Sequence, residues 1–205
     1  MLTKNTGELF TTVARHIAAD AVVQGEYWKN GRGCFIGCLA HSSCAETLTI
    51  KYGIPVPLVR VLERIFESLN AIEARQFFAD IPAAIAIDGK DLRPVVWQFL
   101  AETLRALPVE TEGTRAVIVG LALLGQGGEW PEAAASATWD AASAARAASA
   151  TAEAAWATVR AARAARAASA ASAAESRRQR DSVLRLIAAA PRQHTHPTPE
   201  PPNAD

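Results

Sequence analysis

Apolar residues recur at spacings of three and four positions along most of the chain. Near the start, Leu9, Val13 and Ile17 follow this spacing, and the segment 58–69 repeats it after a pair of prolines. The spacing is typical of helices that bury one face and leave the other to solvent. It predicts an all-α protein in which a compact multi-helix domain occupies residues 1–130.

Two stretches of this domain depart from the amphipathic pattern. Residues 114–124, TRAVIVGLALL, are apolar on every side, and we interpret them as a buried helix because no second strand is evident to pair with them. The pair Asn30-Gly31 indicates a tight turn, since both residues tolerate the left-handed backbone conformation. A helix is then expected to begin at Cys34, either continuous or broken at Ser42-Ser43, where a serine could cap a new helix.

The last third of the chain is dominated by alanine. Residues 132–175 contain 25 alanines in 44 positions, and neither glycine nor proline occurs between Pro131 and Pro191. Because alanine has the highest helix propensity, we predict an alanine-rich arm of one or two long helices over residues 131–190. The proline-rich, polar residues 191–205 are predicted to be a disordered tail.

The composition of the arm also predicts a partner surface for it. Alanine buries little area per residue, but it lets helix backbones approach closely. In the final turns, Val183, Leu184 and Ile187 form an ordinary amphipathic face, which we expect to pack against another surface. The arm is therefore the predicted contact element, either for a protein partner or for self-association.

Charge and hydropathy argue against several other partners. The 21 basic and 21 acidic residues give a formal net charge of zero. Net charge therefore predicts no attraction of the chain to nucleic acid or to an anionic membrane. Arginines between residues 160 and 180 are interpreted as a solubilising face, since no DNA-binding motif accompanies them. No uninterrupted apolar stretch reaches the roughly 18 residues of a membrane span. The first residues lack the features of a secretory signal, so a cytoplasmic location is expected.

Candidate chemistry is concentrated in residues 31–44, GRGCFIGCLAHSSC, which contain all three cysteines. On one continuous helix, Cys34, Cys38 and His41 would share a stripe. The first interpretation of this stripe is a packing face, because free cysteine behaves as a small hydrophobic residue and is usually buried. No cofactor is needed in that case.

A second interpretation is a reactive thiol. Cys34 would lie at a helix N-terminus and directly after Arg32 and Gly33, and both the helix end and the arginine favour a thiolate. Cys38, one turn later, could resolve an oxidised Cys34, and His41 could act as a base. In this interpretation Cys34, Cys38 and His41 are the catalytic residues.

A third interpretation is a metal site with Cys34, Cys38 and His41 as ligands. Thiolate and imidazole ligands suit zinc or another soft metal, which would then be the cofactor. Cys44 would lie about 15 Å from Cys34 along a continuous helix, so it could join the site only if the helix broke.

Three other titratable side chains receive simpler interpretations. Glu63 and Glu67 lie on the polar side of the segment 58–69 and are interpreted as part of a solvated helix face. His16, beside Arg15 on the first predicted helix, is interpreted as a surface or boundary histidine.

Taken in order, these residues resemble a group of uncharacterised bacterial proteins that also end in an alanine-rich helical tract. The matching pieces are Trp28, Gly31 to Cys34, Gly37, Cys38, His41, Gly53-Ile54-Pro55 and the helix Leu58 to Leu69. The resemblance covers roughly residues 27–107. It implies that Cys34, Cys38 and His41 act as one unit, but it brings no known activity with it.

Two functional hypotheses follow from these patterns. The first is a non-enzymatic cytoplasmic helical interaction protein that uses the alanine-rich arm as its contact element. The alternative is a thiol-dependent enzyme, or a redox-responsive or metal-responsive protein, that uses Cys34, Cys38 and His41.

Overall fold

A computed structural model describes residues 2–106, 112–129 and 161–193, with side chains from residue 171 onward in the last range. The described residues form eight helices, and strand-like pairing among them is limited to three isolated bridges. The predicted all-α class is confirmed. None of the described helices is both long and apolar enough to cross a bilayer. The helices are α1 (Thr6–Ala18), α2 (Phe35–Ala40), α3 (Glu46–Tyr52), α4 (Val56–Ser68), α5 (Ala71–Ile85), α6 (Val95–Arg105), α7 (Glu112–Gly125) and α8 (Ala161–Ala189).

Several helix ends follow directly from the residues placed there. The Asn70 side chain accepts a hydrogen bond from the Glu73 N–H at 3.0 Å and so caps the start of α5. Pro57 lies in the first turn of α4, where its missing N–H leaves no hydrogen bond unmade. Gly53 ends α3 with a φ of 71°, in the left-handed region that favours glycine.

One large hydrophobic core lies among α1 to α6 and the end of α8. Its largest fully buried side chains include Tyr52, Phe35, Phe66, Phe77 and Phe78. Helix α4 is central to this core because its apolar face packs against α5, α6 and α8, while α2 and α3 also contact it. The predicted apolar face of the segment 58–69 is thus the face that is buried.

The apolar segment 114–124 forms a helix, but only one face of it is buried. Helix α7 packs mainly against α6, in a small second cluster that contains Ile118 and Leu121. Val119 and Leu123 on the other side are 54% and 39% exposed. The expectation of a helix buried all round is therefore wrong among the described residues, because α6 covers one side of α7 only.

The last turns of α8 dock on the domain. Val183 and Ile187 are fully buried in the large core, and Leu186 is 7% exposed. Leu184 is only partly buried, so Leu186 takes the more buried position on this face. At the rim, the Arg185 guanidinium forms an ion pair of 2.6 Å with Glu102 of α6.

The segment around Lys90 joins the beginning, the middle and the end of the described chain. The Thr3 N–H donates to the Lys90 carbonyl at 2.9 Å, and the Lys90 N–H donates to the Thr3 hydroxyl at 2.8 Å. On its other side, the Asp91 N–H donates to the Pro191 carbonyl, and the Gln193 N–H donates to the Gly89 carbonyl. Residues 191–193, predicted as the start of the tail, are thus fixed by backbone hydrogen bonds.

The Lys90 side chain connects the ends of two helices. It is only 7% exposed, and its ammonium donates to the carbonyls of Ala84 at 3.1 Å, Ile187 at 3.2 Å and Ala188 at 2.8 Å. These carbonyls belong to the last turns of α5 and α8, where few intrahelical N–H donors remain. A cation at this point also interacts favourably with both helix dipoles.

The remaining predictions about the arm fall largely outside the described residues. Residues 130–160 and 194–205 lie there, so the number of helices in the arm and the disorder of the tail stay predictions. The division into a domain at 1–130, an arm at 131–190 and a tail at 191–205 also stays a prediction.

Replacing the ammonium of Lys90 tests whether it holds α5 and α8 together. In Lys90→Met the apolar stem is kept, but the partly buried carbonyls of Ala84 and Ala188 lose the ammonium donor, and the Ile187 carbonyl keeps only the Ala190 N–H. Buried acceptors left without a donor cost on the order of 1–3 kcal/mol. We expect the free energy of unfolding, measured by urea denaturation, to fall by that amount. The matched control Lys4→Met, at an exposed lysine, should leave it unchanged; an equal loss in both variants would contradict the assigned role.

Candidate functional site

The loop that precedes α2 folds back through a two-residue turn. Asn30 and Gly31 have φ values of 51° and 79°. The N–H of Lys29 donates to the Arg32 carbonyl at 2.8 Å, and the N–H of Arg32 donates to the Lys29 carbonyl at 3.0 Å. Positive φ at both central residues is the type I′ geometry of tight hairpins. The predicted turn is confirmed, and it brings Cys34 to the start of α2.

Two glycines of this stretch allow a loop to lie directly against α2. A Cβ on Gly37 would be 1.1 Å from the Tyr27 carbonyl oxygen, and a Cβ on Gly33 would be 2.1 Å from the same atom. No side chain fits at either position, so these glycines are required for the close approach of two backbone segments.

The stretch 31–44 does not form one continuous helix. Helix α2 ends at Ala40, His41 adopts a left-handed conformation with φ of 54°, and α3 begins only at Glu46. The reversal at His41 removes its side chain from the stripe that a continuous helix would have made. The imidazole instead stacks on the indole of Trp28, with ring centroids 4.2 Å apart and planes 14° apart.

The imidazole of His41 also meets that of His16, which is 5% exposed and therefore not a surface or boundary residue. Nδ1 of His16 lies 2.8 Å from the Thr12 carbonyl oxygen, which can only accept, so Nδ1 carries a proton. Nε2 of His41 is 3.4 Å from Nε2 of His16, so only one of these two nitrogens can carry a proton toward the other. Burial, followed by the nearby charges of His16, Lys51 and Arg15, lowers the pKa of His41. The neutral form of His41 avoids two cationic imidazoles side by side.

Cys38 packs in the interior of the protein. It is fully buried, and its thiol donates to the Gly33 carbonyl at 3.1 Å. Burial raises the pKa of Cys38 to about 12, because the thiolate would lose its hydration. Its environment therefore agrees with the packing interpretation.

Cys34 lies in a different environment from the one expected for a thiolate. It is 2% exposed and precedes α2, a helix of only six residues. Arg32, the expected stabilising charge, donates instead to the Asp20 carbonyl and forms an ion pair with the Asp20 carboxylate at 3.5 Å. Burial and a hydrogen bond to Glu63 raise the pKa of Cys34 to about 12.

The carboxylates of α4 belong to the surroundings of Cys34. Glu63 accepts a hydrogen bond from the Ile36 N–H at 3.0 Å, and Glu67 accepts one from the Gly25 N–H at 3.0 Å. Burial is the main cause that raises the pKa of Glu67, followed by the nearby charge of Glu63. Glu67 is exposed and Glu63 is partly buried, so the interpretation as a solvated face is incomplete: both carboxylates also bind the backbone of other segments.

The described residues contain one group of three potential metal ligands, and it differs from the predicted one. The Sγ atom of Cys34 and carboxylate oxygens of Glu63 and Glu67 all lie within 4.8 Å of one another. Cys34, Cys38 and His41 are not gathered in this way. An open cavity of about 200 Å³ lies over the group and is lined also by Gly25, Glu26 and Tyr27.

Sequence reasoning missed Glu63 and Glu67 as neighbours of Cys34. The available signal was their spacing of four residues, which places both carboxylates on one side of a helix. That spacing is common on solvated helices, and it contains no information on which other segment lies opposite.

Comparison with protein-family models, curated proteins and solved structures gave no match for this chain.

The contact between the Tyr27 backbone and α2 can be tested at Gly37. In Gly37→Ala the new methyl group would overlap the Tyr27 carbonyl, and overpacking of this kind costs about 1–3 kcal/mol. We expect that loss in the free energy of unfolding, although alanine is the better helix former. Gly7→Ala in α1 is the matched control, because nothing lies within 4 Å of its Cβ. Equal stability of the two variants would contradict the close packing.

Burial also predicts the order in which the thiols react. Cys44 is exposed, whereas Cys34 and Cys38 are buried. In the native protein we expect a maleimide to modify Cys44 rapidly, and Cys34 and Cys38 only after denaturant is added. Peptide mass mapping of a labelling time course measures this order. Native Cys34 reacting as fast as Cys44 would favour the reactive-thiol interpretation.

Proposed function

We propose that this chain is a non-enzymatic cytoplasmic interaction protein whose alanine-rich segment contacts a helix of a partner, a second copy of the chain being the simplest case. The observation that carries the proposal is the anchoring of α8. Val183 and Ile187 are buried in the core, and the Lys90 ammonium holds the end of the helix. The side chains of residues 171–174, which precede the anchored turns, are exposed. A firmly held helix thus presents small side chains that another helix could approach closely.

The pairing of charges supports a protein partner over a nucleic acid. From residue 171 onward, where the side chains of α8 are described, its arginines are engaged in ion pairs within the chain. The pairs are Arg177 with Glu73, Arg178 with Glu175, Arg180 with Asp181 and, further on, Arg185 with Glu102. These pairs offset the positive charge that phosphate groups would require.

The alternative of a thiol-dependent enzyme gains less support. A nucleophilic cysteine needs a depressed pKa or an adjacent base. Burial raises the pKa of both Cys34 and Cys38 to about 12. The imidazole of His41, the expected base, is stacked on Trp28 and faces His16.

Substitution in the exposed alanine face tests the proposal without disturbing the core. In the double variant Ala171→Lys/Ala174→Lys, two long charged side chains would keep a partner helix at a distance. We expect sedimentation equilibrium of the full chain to show a concentration-dependent dimer that this variant weakens at least about tenfold, which corresponds to 1.4 kcal/mol. Ala189→Lys, at an exposed alanine in the anchored last turn and away from residues 171–174, is the matched control and should dimerise normally.

A wild-type chain that stays monomeric at every concentration would exclude self-association. The proposal then requires a different protein that binds the wild type and the Ala189→Lys control but not the double variant. Equal binding of that protein to all three forms would contradict the alanine face as the contact element.

A further inference from the structure

Three side chains from two separate segments converge beside the start of α2. Cys34 immediately precedes α2, whereas Glu63 and Glu67 lie one turn apart on α4. Their ligand atoms lie within 4.8 Å of one another. The cysteine is 2% exposed, so its sulfur lies at the floor of the group, with Glu67 at the open side.

The two carboxylates have no cationic partner among the described residues. Neither Glu63 nor Glu67 takes part in an ion pair there, although eight such pairs join other residues. Two carboxylates at this distance repel each other when both are ionised. A bound divalent cation would remove that repulsion and supply the missing counter-charge.

Backbone N–H groups fix the orientation of both carboxylates. The Ile36 N–H donates to Glu63, and the Gly25 N–H donates to Glu67. The Gly25 N–H lies near both oxygens of Glu67, and each carboxylate keeps lone pairs that these bonds do not use. Hydrogen bonds to ligand side chains are the usual means by which proteins orient metal ligands. The arrangement is therefore supported before any ion binds.

The cavity above the group provides a place for a further ligand. It has a volume of about 200 Å³ and is lined by Gly25, Glu26 and Tyr27 together with the three donors. Zinc sites that are not purely structural use three protein ligands and leave the fourth position to water or another small molecule.

We propose that Cys34, Glu63 and Glu67 bind one Zn²⁺ ion, with the fourth coordination position open to the cavity. One sulfur and two carboxylate oxygens suit a borderline metal, whereas Mg²⁺ and Ca²⁺ prefer oxygen ligands alone. On binding, the Cys34 thiol releases its proton to solvent and the thiolate coordinates the ion. The site replaces the predicted ligand set of Cys34, Cys38 and His41, and it is independent of the proposed contact through the arm.

The test uses the full chain without an affinity tag, treated with a chelator and then freed of it. Titration with Zn²⁺ against a chromophoric competitor should give one site per chain. Cys34→Ser and Glu67→Gln should each weaken binding at least about 100-fold, because even the loss of an outer-shell partner can cost that much. Titration with Co²⁺ should give a sulfur-to-cobalt charge-transfer band in the wild type that Cys34→Ser abolishes. Circular dichroism confirms that each variant is folded.

Two controls separate this site from adventitious binding. Cys44→Ser removes an exposed thiol that lies 3.2 Å from a Glu46 carboxylate oxygen, a similar pair of donors outside the group. Glu26→Gln removes a carboxylate that lines the same cavity but does not belong to the three donors. Both should bind Zn²⁺ like the wild type. Absence of stoichiometric binding, or binding that survives Cys34→Ser and Glu67→Gln, or binding lost equally in Cys44→Ser, would overturn the proposal.

Discussion

The rest of the architecture depends on the hydrogen bonds that the Lys90 ammonium group donates. This group lies where the C-terminal ends of α5 and α8 converge and donates to carbonyls of both helices. Burial lowers the pKa of Lys90, while the three carbonyls stabilise its charged form. The backbone on either side of this residue pairs with Thr3 and with residues 191–193. The Lys90 side chain and the backbone of residues 89–91 therefore join segments that are about as far apart as the described chain allows.

The hydrogen bonds of Lys90 also help to position the candidate site, although Lys90 is not among its residues. With α8 fixed, Val183 and Ile187 complete the core on which the apolar face of α4 rests. The opposite side of α4 then faces the loop before α2, which carries Cys34. Glu63 and Glu67 bind backbone N–H groups of that region, so the polar side of α4 also forms tertiary contacts. The positions of Cys34, Glu63 and Glu67 thus depend on the contacts that α4 makes on its apolar and its polar side.

Much of the fold could be predicted from the sequence because it depends on local patterns. Helical periodicity predicted the all-α class, and the pair Asn30-Gly31 predicted the turn before α2. The amphipathic pattern at the end of the arm predicted the face of α8 that packs against the domain. The role of Lys90 could not be predicted, because a single lysine in a short loop has no periodicity. The one-sided burial of α7 was missed for a related reason, since hydropathy shows that a segment can be buried but not how many neighbours cover it. Contacts between distant segments require the tertiary structure.

The cysteine stretch shows how one backbone conformation decides between chemical interpretations. On a continuous helix, Cys34, Cys38 and His41 would share a face, and catalysis or metal binding by these three would be reasonable. The left-handed conformation of His41 ends α2 and directs the imidazole to Trp28 and His16. Cys38 stays buried beneath the loop, in agreement with a packing role. Cys34 faces two carboxylates, and they come from α4 and not from its own segment. The stretch therefore combines a packing cysteine, a histidine stacked on Trp28 and a buried thiol, Cys34, whose neighbours offer metal-binding chemistry.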